Sequence, residues 1–195
     1  MTVGLRHIDQ VGLDTIHRRV ACLTGWLLDA LDGLRHQGGR RLVQIYGPRT
    51  VDGRGGTMAF SLRDRDGLPV DDLRVEELAN RANISLRTGC FCNPGAGEAA
   101  YRLGNEQMGR WFGRADPVSY LEFRDRIWLD LGRFPSAIRV SLGVATNFAD
   151  VYRFVCFLAR FLDRSVAEID RVECAAGFRP GVGHAQNPAP REEGG

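Results

Sequence analysis

From Leu13 the apolar residues Ile16, Val20, Leu23, Leu27, Leu31 and Leu34 recur every three or four positions, which predicts a long amphipathic helix ending near Gly38-Gly39. The period then changes to two. Arg41 to Tyr46, closed by Gly47-Pro48, predicts a short strand. Thr57 to Arg63 predicts a second, with Met58, Phe60 and Leu62 on one face, and Arg65-Asp66-Gly67 supplies a turn. Asp71 or Asp72 caps a predicted helix to about Ala82, with Leu73, Leu78 and Ala82 inward, and a third strand is expected over Ile84 to Thr88.

Gly89 to Gly97 is rich in Gly and Pro and reads as a loop, the kind of segment on which binding and catalytic groups are carried. Glu98 to Phe112 and Pro117 to Leu131 predict two helices, the second with Pro in its first turn. Ile138, Val140 and Leu142 alternate with Arg139 and Ser141, so a fourth strand turns its apolar residues to the core and Arg139 to the opposite face. Asn147 caps a last apolar helix carrying Phe148, Val151, Phe154, Val155, Leu158 and Leu162. After about Ala176 no periodicity remains, as in a disordered tail. These elements predict an α/β fold, a small, largely antiparallel sheet covered by helices on one face. The pattern does not say what covers the other face.

The chain has 195 residues, 44% of them apolar and 26% charged, which fits one globular domain with a sizeable core. A net charge of +2 with scattered basic residues gives no case for nucleic acid. No apolar run approaches the roughly 20 residues of a membrane span. Met1 to Gln10 lacks the apolar core of a secretory signal, so a cytoplasmic location is expected. All 26 basic side chains are arginine. Arginine stays charged, so no side chain here can act as an amine nucleophile.

Five cysteines in a reducing compartment argue against a disulfide framework. Cys22 and Cys156 fall in apolar helical patterns and read as small buried hydrophobes, and Cys174 lies near the tail. Cys90 and Cys92 sit in the glycine-rich loop. They could be metal ligands, but a structural zinc takes four, and the remaining pair would have to come from His7, His17 or His36. As nucleophiles they need activation, since a free thiol is only ~3% thiolate at pH 7. Arg87 and the loop amides are candidates to supply it. The plain alternative is one packed and one incidental cysteine.

The run LRTGCFCNPGAGE, together with LVQIYGP and GGTMAFSL upstream and IRVSLGVATNFADVYRFVCFL downstream, resembles the aminotransferase class V family, most closely the desulfurase part of molybdenum cofactor sulfurases. The match runs in order from about Gly4 to Leu162. It implies the small C-terminal lobe of a fold-type I pyridoxal-phosphate transferase, with residues 1–36 as an inter-lobe helix region, 37–165 as the small domain and 166–195 as a flexible tail. In that family the large lobe carries the Schiff-base lysine and the cofactor cradle. The small lobe supplies the sulfur-accepting cysteine and an arginine for the substrate carboxylate. Carried over by position, Cys92 matches the sulfur acceptor, with Cys90 the lesser candidate, and Arg139 matches the carboxylate-binding arginine. Arg87 is a second substrate-binding candidate.

Two departures matter. Gly97 stands where molybdenum cofactor sulfurases commonly have a third cysteine, and the large lobe with its lysine is absent from the match. The resemblance therefore implies cysteine as substrate, a sulfur acceptor, and a separate large lobe or parent dimer as partner. Pyridoxal phosphate is implied for the complete enzyme and is not expected to be held by this chain alone, which should be inactive without a large lobe. A freestanding persulfide carrier or binding module, or a non-functional remnant, are the alternatives.

Overall fold

The computed structural model describes residues 2–89, 94–104, 106, 109 and 118–172. The first helical stripe is realised as α2 (Leu13–Gly33), preceded by a short α1 (Thr2–Val11) that the periodicity did not single out. Gly12, at φ 86°, makes the corner between them. The long helix stops at Gly33 rather than near Gly38, because Leu34 turns extended and begins the approach to the sheet. The strands are β1 (Val43–Tyr46), β2 (Thr57–Leu62), β3 (Arg87–Gly89) and β4 (Ala137–Ser141). They form one sheet in the order β1-β2-β4-β3, and every neighbouring pair is antiparallel.

The remaining described helices of eight or more residues are α3 (Asp72–Arg81), α4 (Pro94–Tyr101), α5 (Tyr120–Leu131) and α6 (Phe148–Ala159). The predicted loop is thus shorter than expected: Pro94 opens α4, a position where its missing N–H is harmless. The helix before β4 begins at Tyr120. Ser119 caps it in a reciprocal box with Glu122, in place of the expected proline start. Asn147 caps α6 in the same way with Asp150. Beyond residue 165 the chain enters a short α7 (Val166–Asp170), whose Ile169 is buried in the core. Residues 173–195, where the sequence suggested a tail, lie outside the described residues.

One core forms between α2, α6 and the inner face of the sheet, with Leu27, Leu31, Phe60, Leu62 and Leu158 fully buried. The alternation in β2 and β4 holds: Met58, Phe60 and Ile138 face this core. On α3 Val75 and Ala79 are buried and Leu78 and Ala82 pack against the core as expected, whereas Leu73 is exposed, contrary to expectation. At the start of the helix the inward place is taken by Asp72, one position before Leu73, which meets Arg124. Cys22 and Cys156 are both free and exposed, so they sit beside the apolar stripes and not in them. His36 is buried with both ring nitrogens engaged: Nδ1 accepts from the Asp163 amide at 2.9 Å, and Nε2 donates to the Arg63 carbonyl at 3.0 Å. A histidine so committed to backbone has no lone pair for zinc. No described helix is long and apolar enough to cross a membrane.

Gly56 marks the tightest approach in the fold. Its carbonyl accepts from Leu142 at 2.8 Å where β2 and β4 begin to separate, and a Cβ there would meet the Leu142 carbonyl oxygen and come within 2.8 Å of Val20 Cγ1. Gly56→Ala is expected to cost about 1–3 kcal/mol, the usual range for overpacking a close contact. Thermal denaturation measures it, and an unchanged melting temperature would mean the strand ends separate freely.

Candidate functional site

The sheet has a second face, and its polar residues follow from the same alternation that buries the first. In β4 the residues turned away from the core are Ala137, Arg139 and Ser141. Register sets their neighbours. Arg139 lies opposite Ala59 on one side and Arg87 on the other, and Ala59 in turn lies opposite Tyr46. A single row, Tyr46-Ala59-Arg139-Arg87, therefore crosses all four strands.

Directly opposed residues in an antiparallel ladder have Cβ atoms about 4.5–5.5 Å apart. Two guanidinium groups side by side repel unless an anion sits between them. Both are exposed, and among the described residues neither has a hydrogen bond or carboxylate partner. Ala59, opposite Arg139, brings only a methyl group to this face. Around the row, Thr57 and Ser141 hydroxyls meet at 3.1 Å, and Tyr46 Oη lies 3.0 Å from Ser61 Oγ.

Arg139 and Arg87, separate candidates along the sequence, are neighbours across the β3–β4 ladder. β3 ends at Gly89, opposite Ala137 and immediately before Cys90. Its position is fixed from the α3 side, where Thr88 Oγ1 donates to Glu76 at 2.5 Å. Cys90 and Cys92 lie outside the described residues.

A second polar group escaped the sequence reading. Arg124 of α5 is buried, and its Nη2 donates to Asp71 and, at 2.9 Å, to Asp72. Ser136 Oγ donates to the same Asp72 oxygen at 2.6 Å, and the Arg124 guanidinium lies 4.2 Å from the Phe134 ring centroid. Burial pushes the Asp72 carboxyl above its usual range against the pull of Arg124 and Ser136. Burial also opposes the charge on Arg124, but Asp71 and Asp72 override it and raise its pKa further. Ser136 is three residues from Arg139, so the cluster ties the start of β4 to α3. Asp71 and Asp72 read from sequence only as caps, and Asp71 does accept from the Leu73 amide at 2.8 Å. Nothing in the spacing of Arg124 and Ser136 announces a contact across more than 50 residues.

Fold and site together define a small α/β lobe that carries an exposed arginine pair on the polar face of an antiparallel sheet. No family model matches the chain. It is related by sequence to proteins named molybdenum cofactor sulfurase. The tomato protein (Solanum lycopersicum) is 32% identical over 159 residues, 80% of this chain and 18% of that protein. The Drosophila mojavensis protein is 34% identical over 164 residues, 80% of this chain and 20% of that protein. The Neosartorya fischeri protein is 35% identical over 153 residues, 74% and 17% respectively. The chain spans about a fifth of the length of the curated relatives it matches.

Proposed function

We propose that this chain is the small lobe of a cysteine desulfurase-type enzyme within the molybdenum cofactor sulfurase group, of the class V pyridoxal-phosphate kind. The observation that carries the reading is the strand register that pairs Arg87 with Arg139 and leads β3 straight into the Cys90–Cys92 segment. A planar guanidinium grips a carboxylate through two parallel charge-assisted bonds, and Arg139 in this role orients the amino-acid substrate. Arg87 neutralises the rest of the carboxylate charge and, preceding Cys90 and Cys92 in sequence by a few residues, favours their thiolate form. Cys92, or Cys90 as the lesser candidate, attacks the substrate sulfur as a thiolate, so that the S–S bond of a persulfide forms as the substrate C–S bond breaks and its electron pair leaves with the carbon fragment.

The residues of this chain do not fit covalent attachment of pyridoxal phosphate. An electron-sink cofactor must be linked and oriented before it acts on the substrate, and none of the 195 residues is a lysine. On this reading the linking lysine belongs to a large lobe elsewhere in a longer protein or in a partner chain.

The purified chain, given cysteine and pyridoxal phosphate, is expected to release no more sulfide than cofactor alone. Addition of a lysine-bearing large lobe from a relative is expected to restore release. Sulfide turnover by the chain unaided would overturn the two-lobe reading.

A further inference from the structure

The polar face of the sheet holds a second feature, a cleft of about 230 Å³ over β1 and β2. Its walls come from the sheet on one side and from the end of α4 and residues 133–136 on the other. Arg139 and Arg87 do not line it. Three arginines do: Arg63, Arg102 and Arg133. Arg63 donates to Gln44 Oε1 at 3.0 Å and 3.2 Å, and Arg133 donates to the Tyr101 carbonyl at 2.7 Å. These acceptors are neutral, and among the described residues none of the three guanidinium groups has a carboxylate partner, although Arg65, Arg74 and Arg124 do. Asp72 is the one acid in the lining, and its charge is countered by Arg124. Tyr46 and Ser61, whose hydroxyls bond each other at 3.0 Å, and Ser136, whose hydroxyl donates to Asp72, also line the cleft.

Arg102 supplies an independent observation. Its amide bonds back to the Ala99 carbonyl at 3.3 Å and the Leu103 amide to the Glu98 carbonyl at 2.8 Å, the double closure of a helix C-terminus. The residue in the left-handed position of that closure is favoured to be glycine. Here it is Arg102, at φ 53°. The chain therefore carries an arginine at a backbone position where a side chain is unfavourable, at the edge of the cleft.

We infer that this cleft, lined by Arg63, Arg102 and Arg133, is a binding site for a small phosphate-bearing ligand, adjoining the Arg139 row at Tyr46 but not including Arg139 or Arg87. Three guanidinium groups converging on one cleft suit the several oxygens of a tetrahedral oxyanion better than the two of a carboxylate. The volume falls below the roughly 300–1,000 Å³ of pockets for drug-sized ligands, so the ligand is inorganic phosphate or a small phosphomonoester.

The test is calorimetric titration of the whole chain at low salt with inorganic phosphate, glycerol phosphate and acetate as probes. Saturable binding of phosphate or glycerol phosphate, stronger than that of acetate, is expected. The tighter of the two phosphates identifies the free anion or the ester as the preferred form. Arg102→Gly is the decisive variant. It relieves the left-handed backbone, so its melting temperature should stay level or rise while phosphate affinity falls at least about tenfold. Arg133→Gln should weaken binding similarly. Arg139→Gln and Arg160→Gln, the latter in a separate groove with Phe157 and Ile169, should leave it unchanged. Absence of saturable binding, equal affinity for acetate, or an Arg102→Gly protein that binds phosphate as before would overturn the proposal. Loss of binding in Arg139→Gln with retention in Arg102→Gly would also overturn it, because the anion would then sit on the strand row.

Discussion

Arg124→Ala is expected to lower folding stability by about 3–5 kcal/mol, a large share of the roughly 5–15 kcal/mol available to a domain. The truncation leaves Asp71 and Asp72, both buried, with no cation between them, and removes the group that packs on Phe134. Urea denaturation reads the loss as a lower midpoint at unchanged slope. A loss under about 1 kcal/mol would mean the two carboxylates regain water without unfolding. The same cluster sets a pH dependence. Burial raises the Asp72 carboxyl above 3.8 in the folded state, over the opposition of Arg124 and Ser136. A raised carboxyl contributes stability that is fully present below its unfolded pKa and lost as pH rises through the folded one. The stability difference between wild type and Asp72→Asn should therefore shift against wild type as pH climbs from about 4 toward neutrality. The exposed Glu122 and Glu168 work the other way, each lowered mainly by the backbone amide of the serine it caps. Only the pairwise difference isolates Asp72.

Arg139→Gln, in a complete enzyme assembled from this lobe and a large lobe, is expected to reduce kcat/KM for cysteine on the order of 100-fold. Each charge-assisted bond to a carboxylate is worth roughly 1.5–3 kcal/mol, and glutamine replaces at most one of two. Arg139→Lys keeps charge without the planar fork and should fall between. The loss belongs in KM if Arg139 only holds the substrate, and in kcat as well if it also aligns the reacting bond. Arg87→Gln should cost less, since the neighbouring Arg139 still meets the carboxylate. Kinetics of Arg139→Gln matching wild type would remove Arg139 from the carboxylate role and leave it as an exposed strand residue.

The elements that were legible in the sequence were those with a strong period. The α2 stripe, the β2 alternation of Met58, Phe60 and Leu62, the β4 alternation around Arg139 and the Asn147 cap all depend on neighbours within a few residues. What misled was local composition judged without its surroundings. Pro94 and its glycines suggested a loop where a helix begins, because proline at a first helical turn and proline in a loop look alike in sequence. Cys22 and Cys156 suggested burial because they adjoin apolar stripes, but a helix rotates about 100° per residue and one position decides between core and solvent.

Strand alternation alone turns Arg139 away from the core, and the missing lysine alone leaves no side chain here that can link a carbonyl cofactor. Tertiary structure alone decided who stands beside Arg139. The pairing of β3 with β4 is a choice of register between segments about 50 residues apart, and only that register aligns Arg87 with Arg139 across the ladder. The Asp71-Asp72-Arg124-Ser136 cluster and the three-arginine cleft arise in the same way. Charged side chains have no periodic signature, so their meeting is fixed by how the helices pack, after the apolar pattern has set where the core lies.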